Sequence, residues 1–177
     1  MINSEVKIEA LAHPEPGSFK IGPFGSSLKK DELVRYGVPV AGIENVLPNR
    51  FTTSFRKFIT KEKYEELSHY SVRHGDVLVT TMGTIGRAAV VPKSVGTCII
   101  DSHLFRMRVD QSKVYPPYLC FAINGYEGLK AQLARTSRGA IMEGINTTIL
   151  KECSIPLQGY FILNKSLSML RLKPARR

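Results

Sequence analysis

The chain has 177 residues, enough for one domain with a substantial hydrophobic core. Its 43% apolar content argues against wholesale disorder, and no apolar run approaches the roughly 18 residues needed to span a bilayer. A total of 25 Lys and Arg against 15 Asp and Glu leaves a formal charge of +10, which suggests a polyanionic partner but does not bear on fold.

Half of that excess comes from Lys165, Arg171, Lys173, Arg176 and Arg177, in a stretch without acids. A basic tail is commonly only solvated, so it weighs little as evidence of a site. The opening MINSEVKIEA has no basic segment followed by an apolar stretch and does not read as a secretory signal. Cys98, Cys120 and Cys153 are odd in number and widely spaced. That favours reduced thiols in a cytoplasmic protein over a disulfide framework.

Residues 1–18 read as an extended lead-in, broken by Pro14, Pro16 and Gly17. A turn-rich IGPFGSSL segment follows at 21–28, and the apolar run Val38–Ile43 predicts a strand. Thr60 is placed to cap a helix over Lys61–Tyr70, with Tyr64 and Leu67 on one face. Gly75-Asp76 launches the β-branched run Val77–Thr81, and Gly83-Thr84-Ile85-Gly86 turns the chain into Arg87–Val91, which predicts a hairpin. Thr97–Ile100 is a further short strand.

Alternation is strict over 105–109. Phe105, Met107 and Val109 share one face and Arg106 and Arg108 the other, the pattern of a half-buried strand showing two guanidinium groups to water. Pro116 or Pro117 then opens a helix, whose Leu119, Ala122, Ile123 and Tyr126 form a core-facing stripe continued by Leu129 and Leu133. Gly125 and Gly128 interrupt it, predicting a kink or two shorter helices. After a loop at 137–140, Asn146 is placed to cap a last helical turn, and Cys153–Leu157 runs out as a strand. The whole predicts an α+β domain, a compact mixed sheet with flanking helices.

No catalytic constellation emerges. Gly83–Arg87 is glycine-rich enough to cradle a phosphate, but it has neither P-loop nor dinucleotide spacing and no helix after it, so a hairpin turn is the simpler reading. The S-x-x-K spacing at Ser26–Lys30 lacks its companion motifs. His69 and His74 are five residues apart, the cysteines are not spaced as ligand pairs, and no metal or cofactor site is expected. Tyr115-Pro-Pro-Tyr118 resembles the loop of amino-methyltransferases but carries Tyr where an amine-binding Asn or Asp belongs.

Nucleic-acid binding is what remains. Basic side chains fall in predicted loops: Lys29, Lys30 and Arg35; Arg50, Arg56 and Lys57; Arg87 and Lys93; Arg135 and Arg138. Phosphate contacts use such Lys and Arg, and base reading uses planar donors such as Arg and Asn. The segment Thr136–Thr148 adds Asn146, Thr147 and Thr148, with Gly139 and Gly144 permitting close backbone approach.

The order of segments is more telling than any one of them. IGPFGSSL at 21–28 precedes GVPV at 37–40; FITKEKY at 58–64 leads to VRHGDVLV at 72–79 and MGTIGR at 82–87; INTTILK at 145–151 and SIPL at 154–157 close the series. This resembles the target recognition domain of a type I restriction–modification specificity (S) subunit, over about residues 19–157. In that family each domain reads half of a split DNA site, and long paired helices space the two domains. Methyl transfer and cleavage belong to separate subunits. After Leu157 the resemblance lapses: the family's Pro-Pro-Leu-type segment, Glu-Gln pair and long helix are replaced by Gln158-Gly-Tyr-Phe161 and the basic tail.

The resemblance therefore implies one DNA-recognition domain at 19–157, with 158–177 a remnant of the spacer-helix region, in a truncated or half-sized subunit. It implies a non-catalytic cytoplasmic protein with no membrane contact. Its partners would be double-stranded DNA, a modification (methyltransferase) subunit and a restriction subunit, with self-association open. Arg138 and Asn146, with Thr147 beside them, are the expected base contacts; Lys29, Lys30, Arg56, Lys57 and Arg87 are the expected phosphate contacts. The alternative expectation is an interaction or regulatory fragment that binds the other subunits without binding DNA.

Overall fold

A computed structural model describes residues 5–136 and 147–157. The elements, in chain order, are β1 (Glu5–Lys7), β2 (Phe19–Ile21), β3 (Val38–Ala41), β4 (Val46–Leu47), β5 (Arg50–Phe51), β6 (Lys57–Ile59), α1 (Lys61–Leu67), β7 (Val77–Thr80), β8 (Ala88–Val90), β9 (Ile99–Ile100), β10 (Leu104–Met107), α2 (Pro116–Gly125), α3 (Glu127–Thr136), α4 (Thr147–Glu152) and β11 (Ser154–Pro156). The α+β class holds, with the strands distributed over four small sheets.

Local chemistry explains the boundaries. The Thr60 hydroxyl accepts the Lys63 N–H at 3.2 Å and starts α1. Pro116 occupies the first position of α2, where its missing N–H removes nothing. The long helical stripe does divide at Gly125: Tyr126 is extended, and α3 begins at Glu127. The expected hairpin is β7–β8, with Val77 opposite Val90 and Val79 opposite Ala88. Its turn needs glycine at 83 and 86, whose φ angles are +69° and +81°.

The central sheet has the order β2–β10–β7–β8, antiparallel throughout, and is covered on both faces. Val77, Val79, Phe105 and Met107 pack against Leu119 and Ile123 of α2, Leu129 of α3 and Leu150 of α4. Leu78, Ala89 and Leu104 pack the opposite way, against Ala41, Val46 and Ile100. A third cluster of Val40, Ile59, Leu67 and Ile99 fastens α1 to the β6–β3–β9 sheet. Burying each large aliphatic side chain contributes about 1.5–3 kcal/mol, so the double covering is the main source of cohesion.

That covering corrects the reading of β10. Its alternation is real, but the face carrying Arg106 and Arg108 is not wet. Arg106 is 3% exposed, and its guanidinium donates to the backbone carbonyls of Gly17 (2.7 Å), His69 (3.3 Å) and Ser71. Burial pulls its pKa below the usual arginine value. Arg108 makes a two-point contact with buried Asp76, both at 3.0 Å.

The lead-in also differs from the expected extended segment. Glu5–Lys7 pairs with Ser154–Pro156, and the following 3₁₀ turn buries Ile8 and Leu11. Residues three apart on such a turn eclipse one another, which lets both face the core. Two edges are finished by side-chain amides. Asn124 accepts the Ala88 N–H (3.0 Å) and donates to the Ala88 carbonyl (2.9 Å). Gln132 does the same for Ser154, at 2.8 and 3.0 Å. No helix among the described residues is long and apolar enough to cross a membrane.

Candidate nucleic-acid interface

Strand direction determines which loops meet. β2 and β7 are both antiparallel to β10, so they run the same way and leave the sheet at the same end. With one strand between them, their exits are about 10 Å apart. β3 and β9 are parallel, with Val40 opposite Ile99, and reach Gly42 and Asp101 together. The Gly22 and Thr81 N–H groups donate to Leu104 and His103, and the Asp101 N–H donates to Ala41. The segments after Ile21, Ala41, Thr80 and Ile100 therefore converge on one end of the molecule.

Asp101 ties this loop end together. Its carboxylate accepts from Lys57 Nζ at 2.6 Å and from the His103 N–H at 2.9 Å, and the His103 ring lies 3.5 Å away. Gly22 presses directly on the Asp101 backbone: a Cβ there would sit 2.0 Å from the carbonyl oxygen, so the GPFGSS segment could not dock with any other residue. Asn45 holds the next loop, accepting the Gly42 N–H and donating to the Thr52 carbonyl, both at 3.0 Å.

Several sequence-predicted residues gather here. Lys57 opens β6 and Arg56 precedes it, both beside the end of β3 because those strands are antiparallel. Arg87 stands at the head of β8, its N–H donating to the Thr80 hydroxyl at 3.0 Å. Lys29 and Lys30 are exposed on the flank, where Glu32 ties their turn to Lys63 of α1 at 2.8 Å. Thr147 is not brought to this end: it opens α4, whose Leu150 packs with Ile8 on the far face of the central sheet. Arg138 and Asn146 lie outside the described residues.

Arg50 joins the group through its neighbour Asn49, whose N–H donates to the Ala88 carbonyl. Sequence reasoning noted Arg50 without choosing it, and missed Asp101 and His103. The parallel β3–β9 pairing, which no local pattern announces, is what brings Asp101 and His103 to this end. Arg50, Arg56 and Arg87 pair with no carboxylate among the described residues; Glu44 and Asp101 are the acids nearby.

The opposite end of the central sheet is different. A cleft of about 360 Å³ lies there between His13, His74, Arg108 and Gln111. Its arginines are already engaged: Arg73 donates to both Glu15 oxygens (3.0 and 3.3 Å), and Arg108 is held by Asp76. No group of His, Cys, Asp and Glu among the described residues could hold a metal ion. Burial pushes the Cys98 thiol up to about 12 and the Cys120 thiol to about 11, which makes both poor nucleophiles at neutral pH.

No protein-family model matches the chain, and no curated protein matches its sequence. Solved structures do match in shape. The HsdS subunit from Thermoanaerobacter tengcongensis aligns over 95% of this chain with a TM-score of 0.61 and 16% identity. A chain from a type I restriction–modification system, solved to explain its complex assembly and conformational transition, aligns over 92% with a TM-score of 0.56 and 16% identity. The type I S subunit from M. genitalium aligns over 95% with a TM-score of 0.54 and 13% identity.

The chain has the fold of a type I S subunit. It spans 37%, 41% and 40% of the lengths of those three structures, so the S-subunit likeness concerns well under half of each. Across that span the α+β arrangement expected from the motif order is the one found.

Proposed function

We infer that the chain is a DNA-recognition module of a type I restriction–modification specificity subunit, acting in the cytoplasm on duplex DNA. One observation carries this reading: on an S-subunit fold, the motif-bearing strand exits converge with Arg50, Arg56, Lys57 and Arg87 at a single end. Unpaired arginines supply the phosphate contacts that position a protein on a duplex. Lys29 and Lys30 extend that surface along one flank; Arg138 and Asn146 are the proposed base-reading residues.

The chemistry of methylation and cleavage would lie in separate modification and restriction subunits, which this module would direct. A second recognition domain, on another copy or another chain, would raise avidity without any new type of contact.

A salt titration of binding to a mixed-sequence 40-base-pair duplex tests the reading. Log K should fall linearly with log salt, by about 0.9 for each phosphate neutralised. Flat, negligible binding at 50 mM salt would overturn it.

A further inference from the structure

Among the described residues six large apolar side chains are exposed, and three of them stand on the two adjacent loops of the proposed DNA face: Phe24 (56%), Met82 (39%) and Ile85 (46%). Leaving such side chains in water forgoes stabilisation that burial would bring.

The loops beneath them are firmly held. Phe24 follows buried Gly22 and Pro23, and Gly22 lies directly against the Asp101 backbone. The Met82–Gly86 turn is fastened to Thr80, whose hydroxyl donates to the Thr84 carbonyl and whose own carbonyl accepts the Gly86 N–H at 2.9 Å. Rigid supports with apolar tips are preorganised, so little ordering cost attends their insertion into a partner.

The composition of the two loops narrows the partner chemistry. Residues 22–28 (GPFGSSL) and 81–87 (TMGTIGR) contain no Asn, Gln, His or acid, and Arg87 is their only planar donor. They are poorly equipped for bidentate reading of base edges. Phe, Met and Ile are, however, side chains that proteins drive between stacked bases, and the neighbouring cations favour a polyanion over an apolar protein surface.

We propose that Phe24, Met82 and Ile85 form a wedge that partly unstacks a base step, so that this face selects DNA by how easily it kinks. The inference rests on the DNA reading above. Pyrimidine–purine steps such as TA and CA deform most readily, whereas a homopurine·homopyrimidine duplex contains none.

The experiment compares two 30-base-pair duplexes of equal charge, one rich in TA and CA steps and one homopurine·homopyrimidine. Binding is followed across a salt series for the wild type and for Phe24→Ala/Met82→Ala/Ile85→Ala. The wild type should favour the kinkable duplex about tenfold. The variant should lose that preference while keeping the same slope of log K on log salt. Because the tips are exposed, its thermal melt should match the wild type; the wild-type comparison stands even if it does not. A wild type that binds both duplexes equally, or a variant that keeps the preference, overturns the wedge alone. Absence of salt-dependent binding to either duplex overturns the DNA reading and the wedge with it.

Discussion

The two ends of the central sheet use the same residue type in opposite ways. At one end Arg73, Arg106 and Arg108 are absorbed by Glu15, Asp76 and backbone carbonyls, and they knit the lead-in, β7 and β10 together. At the other, Arg50, Arg56 and Arg87 meet no carboxylate among the described residues and stand beside exposed apolar tips. The difference lies less in the number of charges than in whether a carboxylate and a covering layer have been folded over them. Net charge alone could not have separated the end that closes on itself from the end left open.

Breaking the comparison from the closed end should have the largest effect. Asp76→Asn removes the carboxylate that Arg108 grips at two points and that also accepts the Arg73 N–H at 2.8 Å. Removing one partner of a buried pair costs about 3–5 kcal/mol, which urea unfolding should register. At the open end the effect should reverse in kind. Arg56→Ala with Arg87→Ala should leave stability within about 0.5 kcal/mol of wild type. The same pair should lower the salt slope of DNA binding by about 0.9 per arginine that contacts phosphate.

The smallest effect concerns pH. The Arg73 hydrogen bond holds the Glu15 carboxyl below its ordinary value of 4.5. A carboxyl lowered by folding contributes stability that is complete above its unfolded value and is lost as pH falls through the folded one. Glu15→Gln should therefore cost a small amount of stability at neutral pH, a difference that shrinks as pH falls below about 4.5 and so flattens the acid limb. Urea midpoints between pH 7 and pH 3 check this.

Local rules made much of the fold legible. Thr60, Pro116 and Gly125 each act through neighbours within a few residues, and the structure uses them as their chemistry suggests. Arg106 was misread because alternation reports which face a side chain takes, not whether a second layer lies over that face. The loop end was legible in its motifs but not in its assembly. Lys57 and Asp101 are 44 residues apart, and they meet because β3 and β9 pair in parallel, a contact that nothing local encodes. Nothing next to Asp101 in the chain therefore marks it as the residue that gathers three loops.

Asn124 and Gln132 have a consequence for how copies of this chain can associate. Each amide fills, on its strand, the donor and acceptor that an incoming strand would need, at Ala88 and at Ser154. An open strand edge is a template for sheet growth between molecules, the usual route to aggregation. At these two positions the template is already occupied from within. A second copy meeting the chain along β8 or β11 would find side chains to contact but no backbone ladder to extend at those residues, which favours discrete assemblies over continuous ones.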